Sequence, residues 1–75
     1  MTADNFNSSL RTFLRRQPFV PFVVKMNDGK NLLVDDPQAV AFGGGDAAYI
    51  GPDLVHFIYC QHVENMHLAT AESVQ

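Results

Sequence analysis

The sequence predicts a small α+β domain, in which one N-terminal helix precedes five or six short antiparallel strands forming a strongly bent sheet or a small barrel. Three observations carry this expectation. Apolar residues recur at helical spacing over residues 4–16 and the pattern stops at Pro18. Asn27-Asp28-Gly29 separates two short apolar runs, which is a hairpin signal. Beyond it, turn residues interrupt the chain at short intervals that suit strands.

The helix rests on Phe6, Leu10, Phe13 and Leu14, which fall at i, i+4, i+7 and i+8 and form one apolar stripe. Thr2 or Asp4 supplies an N-cap by accepting a free backbone N–H. Arg15 and Arg16 lie in the expected last turn, where cations favour the helix dipole. Gln17 precedes a proline and is biased away from helical angles, so the helix ends there.

Phe22 to Met26 reads as the first strand, and the register of its hairpin follows from the apolar pattern. A two-residue turn at Asp28-Gly29 would mix polar and apolar side chains on both faces. A three-residue loop, Asn27 to Gly29, instead pairs Phe22 with Val34 and Val24 with Leu32. Phe22, Val24, Met26, Leu32 and Val34 then share one face. The expected geometry is a type I turn with Gly29 left-handed in a G1 bulge, leaving Leu33 outward. Asp35 or Asp36 caps a helical turn over Pro37 to Ala39, or the chain enters a strand at Ala39–Phe42 directly. Gly43-Gly44-Gly45 reads as a loose hairpin turn, Ala47–Ile50 as a strand and Gly51-Pro52-Asp53 as a turn. Leu54–Tyr59 is rich in β-branched and aromatic residues. Cys60-Gln61-His62 makes a one-turn break before a last strand, Val63–Leu68. The expected domain is 1–68, with 69–75 as a frayed tail.

Composition narrows the function classes. The 75 residues are 47% hydrophobic and 17% charged, which is globular composition. A chain of this size buries only ~60% of its unfolded surface, so its stability margin is thin. The single cysteine excludes an internal disulfide. Five basic and eight acidic residues give a net charge of −3, which disfavours a general nucleic-acid binder. No signal peptide and no membrane span is read in the sequence, and a cytoplasmic location is the expectation.

Candidate chemistry is sparse. Cys60, His56, His62 and His67 form the one metal-like set, yet their spacing matches no common zinc pattern. Cys60 has no cation or helix start near it in sequence to generate a thiolate. Gly43-Gly44-Gly45-Asp46 lacks the Lys-Ser/Thr and the helix of a phosphate loop. Asp35 and Asp36 are adjacent and point apart on an extended chain. No catalytic, cofactor-binding or metal residue is therefore nominated, no cofactor is expected and the chain is read as a non-enzyme. Pro18-Phe19-Val20-Pro21-Phe22 has the Pro-x-x-Pro spacing of a polyproline ligand. Its place between helix and strand, and its two Phe, favour a buried joint. The main polar feature is the cationic set Arg11, Arg15, Arg16, Lys25 and Lys30, confined to the first 30 residues.

Taken together, a helix ending in Leu14-Arg15-Arg16-Gln17, then Pro18-Phe19-x-Pro21-Phe22, Asp28-Gly29, Pro37 and closing strands resembles a family of short bacterial proteins of unassigned function. The likeness spans residues ~6 to 68 as an order of elements. The second half, with its Gly43-Gly44-Gly45 turn and Ala47-Ala48, is looser than that pattern. The resemblance implies the fold order and no activity. The helix-then-meander order also looks like SH3/Sm-like small barrels, which is an analogy of fold alone.

The expected core is Phe6, Leu10, Phe13, Leu14, Phe19, Phe22, Val24, Met26, Leu32, Val34, Val40, Phe42, Ile50, Val55, Phe57 and Met66. The expected function is a non-catalytic protein-interaction or regulatory module, with a protein partner or self-association. Leu33 and Tyr59 are the apolar residues expected at a partner surface. The alternative is a nucleic-acid-binding barrel that uses Arg11, Arg15 and Arg16.

Overall fold

The Thr2 hydroxyl accepts a hydrogen bond from the Asn5 N–H (3.2 Å) and starts helix α1, Ala3–Leu14, in the computed structural model of the chain, which describes residues 1–69. The helix is two residues shorter at its end than the sequence pattern suggests. Arg15 is the C-cap, its N–H donating to the Arg11 carbonyl (3.0 Å), and Arg16 lies beyond the helix. Gln17, ahead of Pro18, is biased away from helical angles, so the helix stops short of it. The Gln17–Pro18 peptide is cis. Phe6 and Leu10 are fully buried, and Phe13 and Leu14 flank them on the same stripe.

Strands β1 (Phe22–Met26) and β2 (Asn31–Val34) form the expected hairpin. Phe22 pairs with Val34 and Val24 with Leu32. The Gly29 N–H donates to the Met26 carbonyl (3.0 Å), and the Met26 N–H to the Lys30 carbonyl (2.8 Å). Gly29 has φ +89°, the left-handed value a G1 bulge requires. Asp36 then caps a 3-10 turn at Pro37–Ala39 by accepting from the Gln38 N–H (3.0 Å). Strands β3 (Val40–Gly43), β4 (Asp46–Ile50) and β5 (Val55–Tyr59) follow as a meander. A second 3-10 turn, Cys60–His62, leads into β6 (Val63–Leu68).

The six strands form two antiparallel sheets of three, ordered β2-β1-β6 and β3-β4-β5. The fold is thus α+β, with two sheets in place of a closed barrel. A cleft of about 340 Å³ lies between β2 and β5, lined by residues that include Leu32 and Asn31 on one side and His56 and Ile58 on the other. Helix and both sheets share one core of Phe6, Leu10, Phe22, Val24, Val34, Ala47, Ile58 and Val63. Val23 is also buried, at 3% exposure, on the opposite face of β1, flanked by Leu33 and His67. A central strand loses solvent on both faces to its neighbours.

Three features depart from the sequence reading. Ile50, Val55 and Phe57 were expected in the core and are 56%, 50% and 67% exposed. Ile58 and Ala47, which pair directly, face the core instead. Strand β5 is apolar at four of its five positions, so alternation does not fix which phase faces inward. The second departure is in β6. A bulge opposite Lys25 and Met26 shifts the register, so that Val63 (paired with Met26) and Met66 (paired with Val24) both reach the core side.

The third departure is the glycine turn, which is tight where a loose loop was expected. Gly43 pairs with Asp46, and the two-residue turn between them has φ +62° and +89°. Gly45 is buried under the helix. Its N–H donates to Asn7 Oδ1 (3.2 Å), and its carbonyl accepts from the Cys60 N–H (2.9 Å). A Cβ there would lie 2.9 Å from the Ala3 Cβ, closer than side chains approach, so only glycine fits. The expected tail is bounded by Ala69, whose N–H donates to the Pro21 carbonyl (2.9 Å), and otherwise falls on residues 70–75, outside the described residues.

Pro18 and Pro21 are exposed, Phe19 is half-buried and Phe22 is fully buried. The Phe22 ring stacks on Phe13 (4.8 Å between centroids) and meets Phe19 edge-on (6.3 Å). The Pro-Phe pairs thus join helix to sheet. Replacing Phe22 with Ala is expected to lower unfolding stability by about 3–5 kcal/mol, a large part of what a domain this small has. Urea denaturation checks it, and an unchanged midpoint would contradict a structural role for this ring.

Candidate interaction surface

Sheet register decides which side chains of the second sheet face away from the core. Ala47 and Ile58 point inward, so Ala48 and Phe57, one position along, point outward. The same alternation places Ala41 and Gly43 of β3, Asp46 and Ile50 of β4, and Val55 and Tyr59 of β5 on that outer face. Ile50 is directly opposite Val55, Ala48 opposite Phe57, and Asp46 opposite Tyr59. Leu54, in the preceding turn, is 66% exposed. Four large apolar side chains, Ile50, Val55, Phe57 and Tyr59, thus lie together on one sheet face. Antiparallel sheets ordinarily turn a polar face to water. Asp46, at the hairpin end, is the one charged residue among the strand positions on this face.

The face is not flat. Ala41, Gly43 and Ala48 leave a shallow depression of about 470 Å³, walled by Phe57 and Tyr59. Small side chains on two strands make the hollow, and the aromatic pair on β5 makes the ridge beside it.

Of the two apolar residues expected at a partner surface, Tyr59 (44% exposed) belongs to this face. Leu33 (38% exposed) does not. It lies on the outer face of the first sheet, opposite Val23. Phe57, Ile50 and Val55 were not expected there. The available signal was β5 itself: a strand apolar in both phases needs cover on both faces.

The five cations do not form one patch. Phe22 faces the helix through its stack on Phe13, so Lys25, three positions along β1, faces the other side of that sheet. Lys25 lies 3.8 Å from Glu64, and Lys30 lies 4.0 Å from Asp28. Arg11, Arg15 and Arg16 are exposed at the end of α1 and have no ion-pair partner among the described residues. The cations are thus dispersed: Lys25 lies on the sheet face away from the helix, Lys30 at the hairpin loop, and the arginines at the end of α1.

The imidazoles and the thiol are equally dispersed. His56 stacks on Tyr49 (6.3 Å), His62 meets Tyr59 edge-on (6.2 Å), and His67 lies 3.2 Å from Asn65 Oδ1. Cys60 is half-buried near Gly45. No three His, Cys, Asp or Glu among the described residues are placed to hold a metal ion. No helix of the described residues is long and apolar enough to cross a membrane. Compared with family models, curated proteins and solved structures, the chain matches none.

The titration of Tyr49 is displaced. Its hydroxyl donates to Asp35 Oδ1 (2.8 Å), tying β4 to the segment after β2. Desolvation first, and then the hydrogen bond to Asp35, push its pKa above the ordinary 10.0. The phenol is thus favoured over the phenolate in the folded chain. The associated stability is complete below pH 10.0 and is lost as pH rises through the folded-state pKa. Denaturant titrations across that window are expected to show a steeper alkaline loss of stability in the native chain than in Tyr49→Phe. Equal slopes would contradict the assignment.

Proposed function

We propose that the chain is a non-catalytic protein-interaction module of the cytoplasm that docks a partner on the outer face of the β3-β4-β5 sheet. The observation that carries this is the grouping of Ile50, Val55, Phe57 and Tyr59 on one face, each between 44% and 67% exposed. Single exposed apolar residues are normal on any protein, whereas a contiguous group on a sheet face marks an interaction site. An aromatic ridge beside small residues supplies a rigid anchor and a place for a partner side chain, the features in which binding energy concentrates.

A second reading draws on the exposed arginines at the end of α1, which would engage nucleic-acid phosphates. It rests on three cations, because Lys25 faces away from them. Salt separates the two readings. Binding through three arginines would weaken with salt at a logarithmic slope of about −2 to −3. Docking on an apolar face holds or strengthens as salt rises.

A photo-crosslinking phenylalanine analogue at position 57, compared with the same analogue at position 16, tests the proposal in cells. Adducts on illumination are expected at 57 and not at 16. Adducts at 16 alone, or at neither position, would overturn it.

A further inference from the structure

The outer face of the second sheet carries a ridge and a hollow side by side. Phe57 is 67% exposed and stands next to the depression formed by Ala41, Gly43 and Ala48. We infer that the occupant of this face is a second copy of the same chain, paired face to face about a two-fold axis so that Phe57 of each copy enters the hollow of the other. This rests on the reading of the face as a docking surface and names its partner.

Three observations select a second copy. The first is shape. A two-fold interface brings the same patch to both sides, so any projection must find its recess within that patch. This face supplies both elements on neighbouring strands, since Ala48 and Phe57 are directly paired. The second is charge. Each chain carries −3, so a second copy is accommodated best where the contact brings few like charges together. The strands of this face bring one carboxylate, Asp46, which lines the hairpin end of the hollow and is exposed. Its carboxylate must stay in water at that end of the hollow, because burying it unpaired would be costly.

The third is area. At the observed exposures the four large side chains and the small residues between them present on the order of 500 Å² of apolar surface. Pairing two such faces removes on the order of 1,000 Å² from water, and the polar rim brings the total into the ~1,200–2,000 Å² range of specific interfaces. The same pairing covers the outer faces of β3, β4 and β5, which the single chain leaves wet.

Sedimentation equilibrium over a range of concentrations tests the inference, with two variants whose substituted positions lie outside the core. The native chain is expected to reach twice its 8.3 kDa mass at micromolar concentration. Phe57→Asp removes the ridge and should weaken pairing by roughly tenfold or more. Ala48→Phe fills the hollow and should weaken it comparably, although it makes the face more apolar. Circular dichroism confirms that each variant is folded. Stronger association of Ala48→Phe would show general stickiness and overturn the inference. A native chain that stays at 8.3 kDa at every concentration overturns it too. In that case a position-57 adduct containing another protein leaves the docking surface standing without the self-pairing. Absence of any such adduct removes both.

Discussion

The Phe22 ring is the point at which the helix is held against the first sheet. It is the first residue of β1, the central strand of its sheet, and follows directly on the segment that ends the helix. Its stack on Phe13 fixes the helix over the first sheet, and its burial beside Val24 and Val34 fixes the hairpin phase. Once that phase is set, the opposite face is set as well, because strand side chains alternate. Val23, Lys25 and Leu33 go outward as a consequence of Phe22 going in. The separation of Lys25 from the helix arginines is therefore a product of core packing, not of local charge preference.

The second sheet is placed by a different constraint. The chain must pass from β5 through Cys60–His62 into β6, which pairs with β1. The Cys60 N–H bonds to the Gly45 carbonyl, and Gly45 sits against Ala3 with no room for a Cβ. This contact joins the β3–β4 turn, the start of the helix and the end of β5. It anchors the strand end at which Ile58 turns inward against Ala47. Val55, Phe57 and Tyr59 are then committed to the outside. The exposed apolar face is thus the other side of a well-packed core.

How much of this could be read in the sequence depended on whether information was local. The helix was legible because its stripe, its Thr2 cap and Pro18 lie within one short segment. The β1–β2 register was legible because only one loop length gathers Phe22, Val24, Leu32 and Val34 on a single face. Strand β5 was legible as a strand but not in its phase, since Val55, Phe57, Ile58 and Tyr59 give both faces apolar character. The tight role of Gly45 had no local signature, because the atoms that exclude a side chain come from Ala3 and Cys60, far away in sequence. The bulge that returns Val63 to the core was hidden for the same reason. Of the expected surface residues, Tyr59 joined the candidate face, whereas Leu33 and the cations did not. Those positions were nominated by residue type, and the surface is defined by strand pairing.

The central claim is that the core forces an apolar sheet face outward and that this face is where the chain associates. Backbone amide chemical shifts of the isotope-labelled chain, followed as concentration rises, test it most directly. The account predicts concentration-dependent shifts at Ala41, Ala48, Phe57 and Tyr59, with Leu33, Lys25 and the helix arginines unchanged. Shifts centred on Arg11, Arg15 and Arg16, or a spectrum that does not change with concentration, would contradict it.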